Sequence, residues 1–224
     1  MNRLLSILDW LFIVRPTLLF TYWTMLICGL GLHGNMADVS LITIVCICFG
    51  MAAANLLNLI NDVESDQLNQ KLPWISHGLI TRQQAKLYMI LLYTLCFTGL
   101  AFRAGMVTLI SSIILFAVLG MLYNTGSKPF KSQPFLSLLI LSVIGVGLWV
   151  IGVAAVGAIG SFNWIALTGY SSAWIAVCLI SMVPDIKGDR LTNKITFSVK
   201  FGANITTRIS ALLIIIALLY SIYY

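Results

Sequence analysis

Asn58, Asp62 and Asp66 stand four residues apart in "NLLNLINDVESD" (55–66), and Asp185 and Asp189 repeat that interval in "VPDIKGDR" (183–190). With Glu64 these four aspartates make up five of the seven acidic residues of the chain. On a helix of 3.6 residues per turn, the first three form one stripe that drifts about 40° per step. Carboxylates at this interval repel one another by a few tenths of a kcal/mol even when exposed. Two such pairs in one chain imply that something positive sits between them. Mg²⁺ suits the role, because it takes oxygen ligands from one or two carboxylates and completes its shell on substrate phosphates. Two acidic helix ends facing each other across a cavity would hold such ions, and the ions would hold a diphosphate that bare carboxylates repel. Lys128, Lys131, Lys187, Arg190 and Lys194 offer cationic donors to its oxygens. Glu64 points about 160° away from the stripe and reads as solvated.

The elements that carry these residues must be membrane helices. Only 9% of the 224 residues are charged and 60% are hydrophobic, against about 25% charged in an ordinary soluble domain. Seven apolar stretches reach the length needed to cross a bilayer: 16–32, 39–61, 82–103, 105–123, 134–157, 162–184 and 205–224. Before them, "NRLLSILDWLFIV" (2–14) suits a helix lying in the interface, and Arg15-Pro16 marks the turn into the membrane. Asp9 and Arg15 interrupt the N-terminal apolar run, so it does not read as a cleaved signal. The five cysteines (28, 46, 48, 96 and 178) fall in apolar stretches without metal-ligand spacing and read as small buried hydrophobes.

Charge placement orients the spans. Twelve of the thirteen basic residues fall on the side of the N-terminus and only Arg103 on the other, which makes the N-terminus and the acidic clusters cytoplasmic. Topology alone requires basic inner loops but not acids there. Four unpaired carboxylates at membrane depth would cost on the order of 10 kcal/mol. They must lie at the interface or in a wet cavity, or be neutralised by cations. Three readings of the residues stand at this point: a metal–diphosphate site, unrelated polar helix ends, or an ion-coupled transporter. Transporter sites usually lie near the midplane rather than at one face.

The chain resembles the UbiA superfamily of intramembrane prenyltransferases. Asn58, Asp62 and Asp66 match its NxxxDxxxD motif. "DIKGDRLTNKITFSVKFG" (185–202) matches its second motif, DxxGDxxxxxxTxxVxxG, at Asp185, Gly188, Asp189, Thr196, Val199 and Gly202. "VRPTLL" (14–19) and Tyr123 followed by Lys128 in "YNTGSKPFK" are also similar, and the resemblance runs from about residue 10 to the C-terminus. It implies an all-α fold, a polytopic transmembrane bundle around a central cavity, as one membrane-embedded domain over 1–224. It further implies Mg²⁺-dependent removal of diphosphate from an allylic prenyl diphosphate and transfer of the prenyl group to an aromatic or lipid-like acceptor. In a cyclase member the chain's own double bonds capture the cation instead, and a member that binds prenyl lipid without turnover is a further alternative.

Under the resemblance, Asp62, Asp66, Asp185 and Asp189 hold the metal, Asn58 orients metal or diphosphate, and Tyr123 faces the allylic cation. Membrane lipid is the surrounding partner, and no nucleic acid is expected. Two departures stand out. Seven spans replace the usual nine of the family, so a partner or a second copy of the chain is expected to close the bundle. After the first motif, "KLPWISHG" (71–78) lacks the arginine of the family's arginine-proline-leucine run. Lys71 substitutes for it only if the loop places it there, and His77 reads as a solvated loop residue rather than a general base.

Overall fold

The structure is a computed structural model that describes residues 3–32, 34, 39–71, 73–158, 160 and 163–222. The described residues are helices and connecting turns, with no strand among them. Helix α1 (Arg3–Phe12) is followed by α2 (Pro16–Gly31), α3 (Leu41–Leu68), the single turn α4 (Pro73–Ser76) and α5 (Arg82–Arg103). Then come α6 (Met106–Ser112) and α7 (Gly120–Asn124), joined by a π-helical segment over Ile113–Leu119. The chain continues through α8 (Pro134–Ala155), α9 (Trp164–Ser181), the short α10 (Ile186–Leu191) and α11 (Phe197–Ile222). Seven stretches are long and apolar enough to cross a membrane, so the protein is an integral membrane protein built as an all-α bundle. The expected span ends at 162 and 224, and most of the connection 33–38, lie outside the described residues.

Local chemistry sets the boundaries. Arg15 adopts a left-handed conformation (φ 55°) between α1 and α2, with Pro16 in the first turn of α2, where its missing N–H costs nothing. Thr81 and Gln84 form a capping box that starts α5. The π segment carries Leu115 and Phe116, and the Tyr93 hydroxyl donates to the Phe116 carbonyl at 3.0 Å. Where α2 crosses α8 the backbones touch: a Cβ on Gly29 would run into the Trp149 carbonyl, and one on Gly152 into the Leu26 carbonyl. Small residues allow such close approach where lipid supplies no hydrophobic drive between helices.

Three expected spans end elsewhere. The second was expected to stop at Asn61, yet α3 continues to Leu68. Its 28 residues span about 42 Å, against a hydrocarbon core of about 30 Å, so the motif rides two turns that overrun the apolar core. The sixth was expected to reach Pro184, but α9 stops at Ser181 and a 3₁₀ turn covers Val183–Asp185. Asp185 and Asp189 therefore do not share one unbroken α-helix. The seventh was expected from Ile205, but α11 starts at Phe197 and kinks at Gly202, which has φ 82°.

Candidate active site

A cavity of about 620 Å³ opens where α3, α4 and α10 meet and runs down between α2, α3, α8, α9 and the π segment. Its inner wall is apolar: Met51, Leu115, Phe116, Leu148 and Trp174 line it, with Tyr22 beside Trp174 and Tyr123 nearer the mouth. The mouth holds Asp62 and Asp66 from α3 facing Asp185 and Asp189, and Asn58 stands one turn deeper on the same stripe.

Four cations stand among the four acids at the mouth: Arg15, Lys71, Lys131 and Lys194. Lys131 Nζ lies 2.7 Å from Asp62 Oδ1 and also donates to Asn124 Oδ1 at 3.1 Å and Asn58 Oδ1 at 3.4 Å. Its burial pulls its pKa below the ordinary lysine value, and the Asp62 carboxylate pulls the other way. Lys194 ion-pairs with the same Asp62 oxygen and donates to Ser65 Oγ at 2.7 Å. Arg15 Nη2 lies 3.2 Å from Asp66 Oδ2, and Lys71 ion-pairs with Asp185. Asp189 Oδ2 accepts from Thr196 Oγ1 at 3.3 Å. These ion pairs give Asp62, Asp66 and Asp185 cationic partners, and Asp189 has its hydrogen bond from Thr196.

One backbone device, used twice, delivers two of the lysines. Helix α3 ends with Gln70 in the left-handed region (φ 54°), and α10 ends with Asn193 in the same region (φ 57°). In both, the next residue is a lysine whose N–H returns to an aspartate carbonyl five residues back: Lys71 to Asp66 at 2.7 Å, Lys194 to Asp189 at 2.8 Å. This is the six-to-one bond of a Schellman cap. Each lysine then crosses to the other motif, Lys71 to Asp185 and Lys194 to Asp62. The two motifs are further tied by Asn69, whose Oδ1 accepts from the Gly188 N–H at 2.7 Å and whose Nδ2 donates to the Asp185 carbonyl at 3.3 Å.

The structure thus brings Asn58, Asp62, Asp66, Asp185, Asp189, Tyr123, Lys131 and Lys194 to one cavity. Lys128, Lys187 and Arg190 are exposed and line no part of it; Lys187 and Arg190 point from α10 into a shallow groove beside Pro184 instead. A six-residue helix has one inward face, and Gly188 and Asp189 occupy it. Lys71 does reach the site, and His77 is exposed outside it. From the sequence, Arg15 reads only as a topological charge and a turn marker. Its signal was the proline after it, which fixes where α2 begins and so holds Arg15 at the cavity rim. For Lys71 and Lys194 the signal was a shared spacing, five residues after the last aspartate of each motif.

Among the described residues no three acidic, histidine or cysteine side chains converge on one point. The donors therefore do not form a closed protein cage. They fit Mg²⁺ of the kind that takes one or two carboxylates and shares the rest of its shell with phosphate oxygens.

Fold and site together define a polytopic membrane-helix bundle with a charged, carboxylate-lined mouth over an apolar chamber. The sequence profile of the UbiA prenyltransferase family matches residues 17–224, and the chain belongs to that family. A UbiA homologue from Archaeoglobus fulgidus bound to GPP and Mg²⁺ superposes with a TM-score of 0.78 at 19% identity, covering 96% of this chain and 77% of that one. The same homologue bound to DMAPP and Mg²⁺ gives 0.77 at 18% identity over the same shares. A digeranylgeranylglyceryl phosphate synthase gives 0.69 at 20% identity, covering 96% of this chain and 76% of that one. At these identities the likeness is one of fold. No curated protein sequence matches the chain.

Proposed function

We propose that this protein, as a single domain over 1–224, transfers a prenyl group from a prenyl diphosphate to an aromatic or lipid-like acceptor in a Mg²⁺-dependent reaction, with its N-terminus and site on the cytoplasmic side. The observation that carries this reading is the pair of aspartate motifs facing each other across the mouth of an apolar cavity, with four cations among them. The solved homologue with GPP or DMAPP and Mg²⁺ supports it.

Asp62, Asp66, Asp185 and Asp189 would hold Mg²⁺, which when bound supplies positive charge to the leaving diphosphate. Arg15, Lys71, Lys131 and Lys194 are paired with carboxylates. On binding of a diphosphate these four side chains would turn from the carboxylates to its oxygens, to which they are suited as charged donors. Donors placed in this way stabilise charge as it develops on the leaving group. Asn58 holds Lys131 and faces the same space, which places it to orient the diphosphate. Below, the apolar wall keeps water from the allylic cation, and the face of Tyr123 attracts it.

The test is incubation of purified protein with Mg²⁺ and geranyl diphosphate, followed by measurement of released diphosphate and mass spectrometry of the products. Asp62→Ala and Asp185→Ala are each expected to abolish Mg²⁺-dependent release. Full release by either variant rejects the site. A cyclised hydrocarbon formed without acceptor would assign a cyclase instead.

A further inference from the structure

We infer that Trp174 is the floor of the tail chamber and sets the longest prenyl chain the protein accepts; this rests on the function proposed above. Trp174 lies on α9 eleven residues before Asp185, and Met51 lies on α3 eleven residues before Asp62. At 1.5 Å per α-helical residue Met51 stands about 16 Å along α3 from Asp62, and Trp174 is at a similar distance from Asp185 across the 3₁₀ turn. That depth exceeds a geranyl tail, is close to an extended farnesyl tail and falls short of a geranylgeranyl one. Leu148, fully buried on α8, and Met51, 1% exposed, complete the floor beside the indole.

The indole is held in place between α8 and α2, which is what a length stop requires. Its Nε1 donates to the Leu141 carbonyl at 2.7 Å. Its ring packs on Tyr22 with centroids 5.4 Å apart, and Tyr22 is itself anchored by its hydroxyl donating to Asn55 Oδ1 at 3.0 Å. Behind it, Gly145 provides the notch: a Cβ there would stand 2.6 Å from indole Cδ1 and 2.7 Å from Nε1. A buried indole bonded to a carbonyl and wedged against backbone does not swing aside for one more isoprene unit without losing that bond. Leu115 and Phe116, on the π segment, also line the chamber.

Two substitutions should move the limit in opposite directions. Trp174→Ala opens the floor, whereas Gly145→Ala pushes the indole off α8 into the chamber. The experiment measures dissociation constants of geranyl, farnesyl and geranylgeranyl diphosphates with Mg²⁺ for wild type, Trp174→Ala, Trp174→Phe and Gly145→Ala. Wild type should bind farnesyl at least tenfold more tightly than geranylgeranyl diphosphate. Trp174→Ala should reduce that ratio at least tenfold, Trp174→Phe should reduce it by less, and Gly145→Ala should weaken farnesyl relative to geranyl. If Trp174→Ala does not fold, Trp174→Phe and Gly145→Ala still decide the matter by the sign of their shifts. Unchanged ratios in folded variants overturn the floor while leaving the proposed function standing. Failure of wild type to bind any of the three overturns the proposed function, and the floor with it.

Discussion

Asp62→Asn is the perturbation with the largest calculable consequence. One oxygen of Asp62 carries both Lys131 and Lys194, and the side chains involved are 14%, 7% and 16% exposed. Because both ammonium groups touch that oxygen, they lie no more than about 5 Å apart; at an effective dielectric of about 20, like charges at that distance repel by roughly 3 kcal/mol. Removing one member of a buried ion pair costs about 3–5 kcal/mol for the same reason. Ser65 and Asn124 keep hold of the two ammonium groups, which places Asp62→Asn near the lower end, at about 3 kcal/mol. Lys131→Met alone leaves Asp62 paired with Lys194 and should cost about 1 kcal/mol. The double variant removes the repulsion that the first creates, so it should be about 2 kcal/mol more stable than Asp62→Asn. Equilibrium unfolding in mixed micelles, titrated with a denaturing detergent, measures all four species. The reasoning fails if Asp62→Asn unfolds with wild type, or if adding Lys131→Met to it lowers stability further.

Two other outcomes follow from the packing between helices. In Gly188→Ala the new methyl would meet Asn69 Nδ2 and the Ser65 carbonyl, both at 2.5 Å; forcing α10 off α3 should cost about 1–3 kcal/mol and weaken diphosphate binding, and an unchanged melting temperature would contradict the close approach. Tyr93→Phe removes the donor to the Phe116 carbonyl and should cost about 1 kcal/mol while speeding amide exchange across 113–120, so wild-type exchange there would show that the hydroxyl does not hold the π segment.

The sequence by itself determined the number of membrane spans and the two acidic motifs. Helical periodicity fixes which side chains share a face within one element, so Asn58, Asp62 and Asp66 fall on one stripe in any fold that keeps α3 helical. Apolar length fixes how many elements can span. Tertiary structure alone decided which cations meet those acids. Every basic residue on the side of the N-terminus satisfies the orientation rule equally well, so charge and side do not separate Lys131 from Lys128, or Lys194 from Lys187 and Arg190. What separates them is the direction in which the chain leaves each helix. The left-handed turns at Gln70 and Asn193 send Lys71 and Lys194 across to the opposite motif. The break at Arg15 places a guanidinium beside Asp66, 51 residues away. The depth of the chamber was hidden for the same reason, since Trp174 becomes a floor only when Gly145 of another helix stands behind it.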